Sequence, residues 1–277
     1  MRGAPLIRLI PGLRTPKHQG LGADIAGRVE AVGRHVKQFQ PGDEVFGVCR
    51  GAFAEYACAI EDKLALKPAN SSFEDAAAVP IAAITALQGL RDKGRIQRGQ
   101  KVLVDGASGG VGTFAVQIAK SFGAEVTAVC STRNVDTARR IGADHVIDYT
   151  RENFTKSGQR YDLIVGANAH HSIFDYRRAL NPEGTYVIVG GGLAQIFLGM
   201  LLAPLLSRIG RKKTCFFIAN INQKDLVFLK ELIEAGKVVP IIDRRYPLSG
   251  AAEALRYLEE RHARGKVVLT VEHSNGT

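Results

Sequence analysis

The residues of this chain whose types and spacing could do chemistry begin in the run Gly106-Ala107-Ser108-Gly109-Gly110-Val111-Gly112. Bare main chain at Gly109 and Gly110 would let a phosphate reach the free N–H groups and positive dipole at the head of a following helix. A side chain at Gly112 would push that helix off the strand before it. The spacing reads A-x-G-x-x-G, with Ala107 in the place of the first glycine of a dinucleotide fingerprint. Glycine-rich turns also end ordinary helices, so the flanking elements decide the matter. Before the turn, Val102-Leu103-Val104 has the length and composition of a buried strand. After it, Phe114 to Lys120 has helical period and stops at Gly123, and Val126-Thr127-Ala128-Val129 reads as a second strand. Strand, tight turn, helix and strand within about thirty residues form a dinucleotide-binding βαβ unit.

The end of the second strand indicates which dinucleotide. An acid there, about twenty residues after the glycines, would take the ribose 2′-hydroxyl of NAD. This chain has Cys130, Ser131, Thr132 and Arg133 instead. Two hydroxyls and a guanidinium suit a 2′-phosphate, which a carboxylate would repel, so the expected cofactor is NADPH. The alternative is a plain helix start capped by Ser131 or Thr132.

A chain of 277 residues can bury a large core and hold two domains. The net charge of +10 raises the question of nucleic acid, but the basic residues are scattered and no aromatic-interleaved basic stripe exists, which argues against that partner. The densest basic cluster, Arg208 to Lys213, reads as a solvated loop. Cys49, Cys58, Cys130 and Cys215 form no C-x-x-C pair, so neither a disulfide framework nor a zinc knuckle is expected and the compartment is reducing. Leu193 to Leu206 is too short to span a bilayer and is broken by Pro204; a buried helix lining a pocket or subunit contact is expected. Arg8 interrupts the first apolar run, which leaves no secretory signal. Arg2, Arg8, Arg14 and Lys17, with no acid before Asp24, faintly resemble a transit peptide, but the expectation is a cytoplasmic protein.

Up to about Val79 the chain reads as β-rich. Gly22 to Gly33, Glu44 to Gly47, Gly51 to Tyr56 and Leu64 to Pro68 are short strands between turn signals, the pattern of a small barrel. Ser72 caps a helix that Pro80 interrupts, and Ile81 to Leu90 continues it. Beyond the βαβ unit, strands are expected at His145–Tyr149, Tyr161–Val165, Thr185–Val189 and Cys215–Ile218, and alternation with helices implies a parallel, doubly wound sheet. A helix over Gln223 to Ala235, a strand-like Val238 to Ile242, a helix over Ser249 to Glu260 and a strand over Lys266 to Val271 finish the chain.

Taken together, GADIAGRVEAVG, PGDEVFG, GAFAEY, GASGGVGTFAVQIAK, VTAVCS, GADHVIDY and GKVVLTV resemble the medium-chain dehydrogenase/reductase superfamily, in its zinc-free quinone oxidoreductase-like branch. The chain is also similar to the mitochondrial reticulon-interacting branch, through GASGGVGTFA and VTAVCS. The resemblance implies an α/β fold: a Rossmann doubly wound parallel sheet plus a partial GroES-like β-barrel built from both chain ends. The expected division is residues 1–78 and 237–277 for the barrel and 79–236 for the nucleotide domain. It implies that Ser108, Gly109, Gly110 and Val111 hold the pyrophosphate, that Ser131 and Arg133 meet the 2′-phosphate and that Tyr149 lies beside the adenosine end. Thr85 would contact the carboxamide, and Asn168, Gly190 and Gly191 would border the nicotinamide half. Tyr149 can equally be a packed strand-end tyrosine. Phe53 and Tyr56 lie by the same analogy on a strand facing the cleft, Tyr56 being rather a core residue.

Where zinc alcohol dehydrogenases carry G-H-E, this chain has Gly22-Ala23-Asp24, and alanine cannot ligate. The seven histidines, including the pair His170-His171, which reads as a loop near the pocket mouth, show no ligand spacing. No metal is expected. Without one a plain ketone is hard to polarise, so the substrate implied is a quinone or an α,β-unsaturated carbonyl, and family analogy suggests a homodimer. The resemblance begins at Arg2, and the family's N-P-x-D motif has no counterpart. The expectation is a barrel short of its first strands, an active site lacking part of one wall, and no nameable general acid. Two other readings stand beside the enzyme: a nucleotide-binding scaffold without turnover, and a zinc alcohol dehydrogenase.

Overall fold

The apolar runs in the middle of the chain become strands because both faces of each are covered. The computed structural model describes residues 20–208, 210–260 and 263–271. The start of the chain, where a leader was considered and the resemblance begins, lies outside those residues. In the order they occur, the nucleotide-side strands are β4 (Lys101–Asp105), β5 (Glu125–Cys130), β6 (His145–Asp148), β7 (Tyr161–Gly166), β8 (Leu180–Ile188) and β9 (Lys213–Phe216). They form one parallel sheet in the order β6-β5-β4-β7-β8-β9. The order reverses between β4 and β7, and at such a switch point two loops diverge and leave a crevice at the strands' C-terminal ends.

Around this sheet run α1 (Phe73–Ala77), α2 (Pro80–Gln88), α3 (Gly110–Ser121), α4 (Val135–Arg140), α5 (Ile173–Arg178), α6 (Leu193–Arg208), α7 (Gln223–Glu234) and α8 (Ala251–Glu259). One face carries Val102, Val104, Val126 and Ala128 against α2, α3 and α7; the other carries Leu103, Val129 and Ile164 against α5. Inside the first layer Gln88 Nε2 donates to Asp225 Oδ2 at 2.7 Å and Arg91 meets the same carboxylate at 2.7 Å. That satisfied network ties α2 to α7, where an unpaired Asp225 would be costly.

The flanking portion has the antiparallel sheet β1 (Asp24–Arg28), β2 (Glu44–Val48) and β3 (Leu64–Leu66), and the parallel pair β10 (Ile242–Pro247) and β11 (Lys266–Thr270). Here the sequence reading needs correction. Gly51 to Tyr56 is not a strand: Ala52 and Phe53 donate to Gly22 and Leu21 carbonyls, and the pairing stops there. Tyr56, expected in the core, is 72% exposed. Val238 to Ile241 is not strand either, and β10 starts only at Ile242, since the carboxamide of Gln117 on α3 takes both main-chain groups of Val239, at 2.8 and 2.9 Å. Nor is α6 a buried helix. Ala203 is buried and Leu202 and Leu206 pack on the sheet, but Phe197, Met200, Leu201 and Leu205 are exposed. Within the basic tract Lys212 is not free in solvent, because its Nζ donates to Arg177 O at 2.7 Å.

Candidate nucleotide site

Among the described α-helix starts, α1, α5 and α7 open with a side-chain oxygen on their own amides, from Ser72, Ser172 and Asn222. Helix α3 does not. Its cap is Gly109, with no side chain to fill the first turn, and the helix points its positive end at the crevice beside the switch point. The glycines here serve different ends. A Cβ on Gly112 would lie 2.0 Å from Gly106 O, so this position is glycine because turn and helix touch. A Cβ on Gly109 would meet only Gly106 O, at an ordinary 3.5 Å, and its φ of −81° suits any residue. Packing therefore allows a side chain at Gly109, and the bare surface suits the approach of a diphosphate. Ser108 and Val111 flank this surface, both half-buried.

On the β7 and β8 side the contacts are main chain on main chain. Gly106 has φ +80°, and a Cβ there would sit 2.6 Å from that of Asn168. Asn168 itself is exposed, with its amide donating to Asp105 O at 3.2 Å. A Cβ on Gly190 would lie 2.2 Å from Ala167 O, and Gly191 bridges to Ala169. Gly106, Asn168, Gly190 and Gly191 thus share one strip across the ends of β4, β7 and β8.

The β5 and β6 side is made of side chains, half-buried at Ser131 and exposed at Arg133 and Tyr149. Ser131 opens the turn after β5 and its hydroxyl accepts from Asn134 Nδ2 at 3.1 Å; Arg133 is exposed. Tyr149 is no packed strand-end residue: it is 59% exposed, and its amide on Cys130 O at 3.0 Å sets it beside that turn. Thr132, read above as a phosphate-facing hydroxyl, instead donates to Asp148 Oδ2 at 2.5 Å. Thr132 and Thr150 hold the Asp148 carboxyl below its ordinary value by hydrogen bonding to the charged form, aided by Arg151. Thr85 lies on α2, half-buried, with its hydroxyl on Ile81 O at 2.7 Å.

Two families match the chain: that described as Alcohol dehydrogenase GroES-like domain over residues 6–69, and that described as Zinc-binding dehydrogenase over residues 141–269. A mouse protein named NAD(P)H oxidoreductase RTN4IP1, mitochondrial, is 34% identical over 280 residues, which is 91% of this chain and 70% of that protein. NADPH-dependent alkenal/one oxidoreductase, chloroplastic, of Arabidopsis thaliana is 36% identical over 90% of this chain and 63% of its own length. Among solved structures, the quinone oxidoreductase from Coxiella burnetii superposes with a TM-score of 0.82 at 28% identity, over 98% of this chain and 84% of that one. This chain belongs to the medium-chain dehydrogenase/reductase superfamily, in its zinc-free quinone oxidoreductase-like branch.

As an oxidoreductase of that superfamily using a nicotinamide nucleotide, it places a further residue at the site that sequence reading passed over. Lys266 on β11 lays its stem across the head of α3, its Cδ 3.1 Å from a Cβ built on Gly110, while its ammonium pairs with Asp24 at 3.1 Å. Asp24 Oδ1 also accepts from Ile81 N at 3.0 Å, which ties β1, α2 and β11 together at the crevice. The only sequence signal for Lys266 was a lysine directly after Gly265, whose φ of +129° no side chain favours. Asp24's neighbour Ala23 offers no ligand atom, and among the described residues no three His, Cys, Asp or Glu side chains converge as a metal set would. No described helix is long and apolar enough to cross a membrane.

Proposed function

We propose that this reductase uses NADPH and passes a hydride to a quinone or to the β-carbon of an α,β-unsaturated carbonyl, without a metal. The observation that carries the reading is the uncapped head of α3, glycine-lined and crossed by Lys266, at the switch point of a parallel sheet. The residues present fit the nucleotide. Ser108, Gly109, Gly110 and Val111 would hold the diphosphate through main-chain N–H groups, with Lys266 as counter-charge. Ser131 and Arg133 would take the 2′-phosphate, Tyr149 would cover the adenosine end, and Asn168, Gly190, Gly191 and Thr85 would border the nicotinamide. Bound there, a reduced nicotinamide supplies the hydride. Acceptors of this kind are electrophilic enough to need only positioning, hydrogen bonding and exclusion of bulk water, and the proton that completes the reduction comes from water. The relatives named for alkenal/one and quinone substrates support this acceptor class. NADPH oxidation assayed with a panel of quinones and enones is the test. Turnover with either class supports the reading, and its absence in protein that binds NADPH removes the acceptor assignment.

A second reading, nucleotide binding without turnover, draws on the flanking portion, where Tyr56 and Ile60 stand exposed. It expects NADPH to raise the melting temperature while every acceptor stays oxidised. The remainder of our reading is a cytoplasmic homodimer, checked by fractionation and light scattering.

A further inference from the structure

We propose that Asp105 is a positioning residue for the nucleotide: through Tyr176 it holds the β7–α5 loop against the glycine turn, and it takes up a proton when nucleotide binds. The proposal rests on the reading of that turn as the diphosphate site. Asp105 ends β4, is only 6% exposed, and its carboxylate has no part in the contacts assigned above.

Two amides of the β7–α5 loop converge on Asp105 and two more on Tyr176, which is bonded to it. Ala167 and Asn168 donate to its main-chain oxygen at 2.9 and 3.2 Å. His170 and His171 donate to the hydroxyl of Tyr176 at 3.1 and 3.5 Å. With its lone pairs so used, that hydroxyl spends its hydrogen on Asp105 Oδ2. Tyr176 is itself fixed, stacked on Tyr186 of β8 with centroids 4.3 Å apart and planes 13° from parallel. Because Asn168 sits in contact with Gly106, an error in the loop's placement becomes an error in the turn. The carboxylate side chain thus supports the nicotinamide border and the diphosphate cradle together.

Its charge then matters. The groups facing Asp105 are Tyr176 from α5, Tyr186 from β8, His170 and His171 from the loop, and the Gly106 amide from the turn. Burial pushes its carboxyl up, while Tyr176, His171, His170 and Gly106 pull it down, and the net direction is upward. Burial likewise pushes both tyrosines up, so they stay neutral. A diphosphate seated on the turn that begins at the next residue adds like charge and further favours the neutral acid. The complex then binds more protons than the free protein, and affinity falls as pH rises through the titration of Asp105.

Calorimetric titration of NADPH into the full chain, in buffers of different ionisation enthalpy at several pH values from acid to neutral, counts the protons taken up. Wild type is expected to take up protons. Asp105→Asn still accepts from Tyr176, so it should keep its affinity within about threefold, lose that uptake and flatten the pH profile. Tyr176→Phe should weaken NADPH about fivefold, the worth of one hydrogen bond, in KM for NADPH rather than in kcat. The nucleotide's own phosphate titrates near pH ~6 in every arm and cancels in the difference. Equal proton uptake by wild type and Asp105→Asn, or unchanged affinity in Tyr176→Phe, overturns the proposal while the diphosphate reading stands. Failure of wild type to bind NADPH at any pH removes both. Should Asp105→Asn fail to fold, the wild-type proton count taken with NADH, which lacks the 2′-phosphate, and Tyr176→Phe decide the matter.

Discussion

At the β4–β7–β8 end of the crevice main chain touches main chain, whereas the β5–β6 end presents side chains, Ser131 half-buried and Arg133 and Tyr149 exposed. Gly112 meets Gly106 O, Gly190 meets Ala167 O, and Gly106 meets Asn168, all at distances that no added Cβ could share. Ser131, Arg133 and Tyr149 have no such constraint. On the proposed reading, the backbone end serves any nucleotide with a diphosphate, while the side-chain end distinguishes one nucleotide from another. Affinity in general and choice of cofactor are therefore expected to break separately.

The largest effects should come from the glycines, and two of them divide the backbone end into its own packing and its ligand. Gly112→Ala forces turn and helix apart, an overpacking that costs about 1–3 kcal/mol, and should lower the melting temperature of the free protein as well as abolish NADPH binding. Gly109→Ala adds a methyl that the protein tolerates at 3.5 Å. Its free-protein melting temperature should match wild type, yet NADPH should bind about tenfold more weakly or worse, about 1.4 kcal/mol. Thermal melts with and without nucleotide read both, and a Gly109→Ala protein with wild-type affinity would remove the diphosphate from this surface.

Next comes Arg133→Ala, aimed at the other end. A charge-assisted hydrogen bond to the 2′-phosphate is worth about 1.5–3 kcal/mol. On so exposed a residue the lower figure applies, so NADPH should weaken about tenfold while NADH is unaffected. An equal loss for both nucleotides would merge the two ends into one. Lys266→Met should be smaller, about threefold for both nucleotides, since the ammonium already pairs with Asp24 and only exchanges one partner for another. Its loss should shrink further in high salt.

The same division explains what could be read from residues alone. Parallel strands covered on both faces leave apolar runs that cannot be mistaken for alternating ones, so the six strands from Lys101 to Phe216 and the turn among them were legible. The flanking portion was not, because its contacts reach across the chain. Gln117 replaces a strand partner for Val239, 122 residues away, and Lys266 reaches Asp24 across 242. Tyr56 carried an aromatic signal for a core it does not enter, and α6 an apolar signal for burial it only half achieves. Asp105 hid inside VLVD, where one acid after three aliphatic residues looks like the end of a strand and nothing more.

The smallest expected effect lies in the acid limb of stability, at the side-chain end. Asp148 has its carboxyl held below the ordinary value by Thr132 first, then by Thr150 and Arg151. A carboxyl depressed in the folded state contributes stability that is present above its unfolded value, about 3.9, and that is lost as pH falls through the lower folded value. At neutral pH the charge is fully formed, so the turn carrying Ser131 and Arg133 is held in place by Thr132 under any working condition. Asp148→Asn should lower the neutral plateau of the melting temperature slightly and leave the acid end where it was, so that the fall between them flattens. It also removes a carboxylate bonded to the turn of the proposed 2′-phosphate site, so the ratio of NADPH to NADH affinity should rise slightly. A fall in that ratio would mean that the orientation Asp148 gives to the turn outweighs the repulsion its charge exerts.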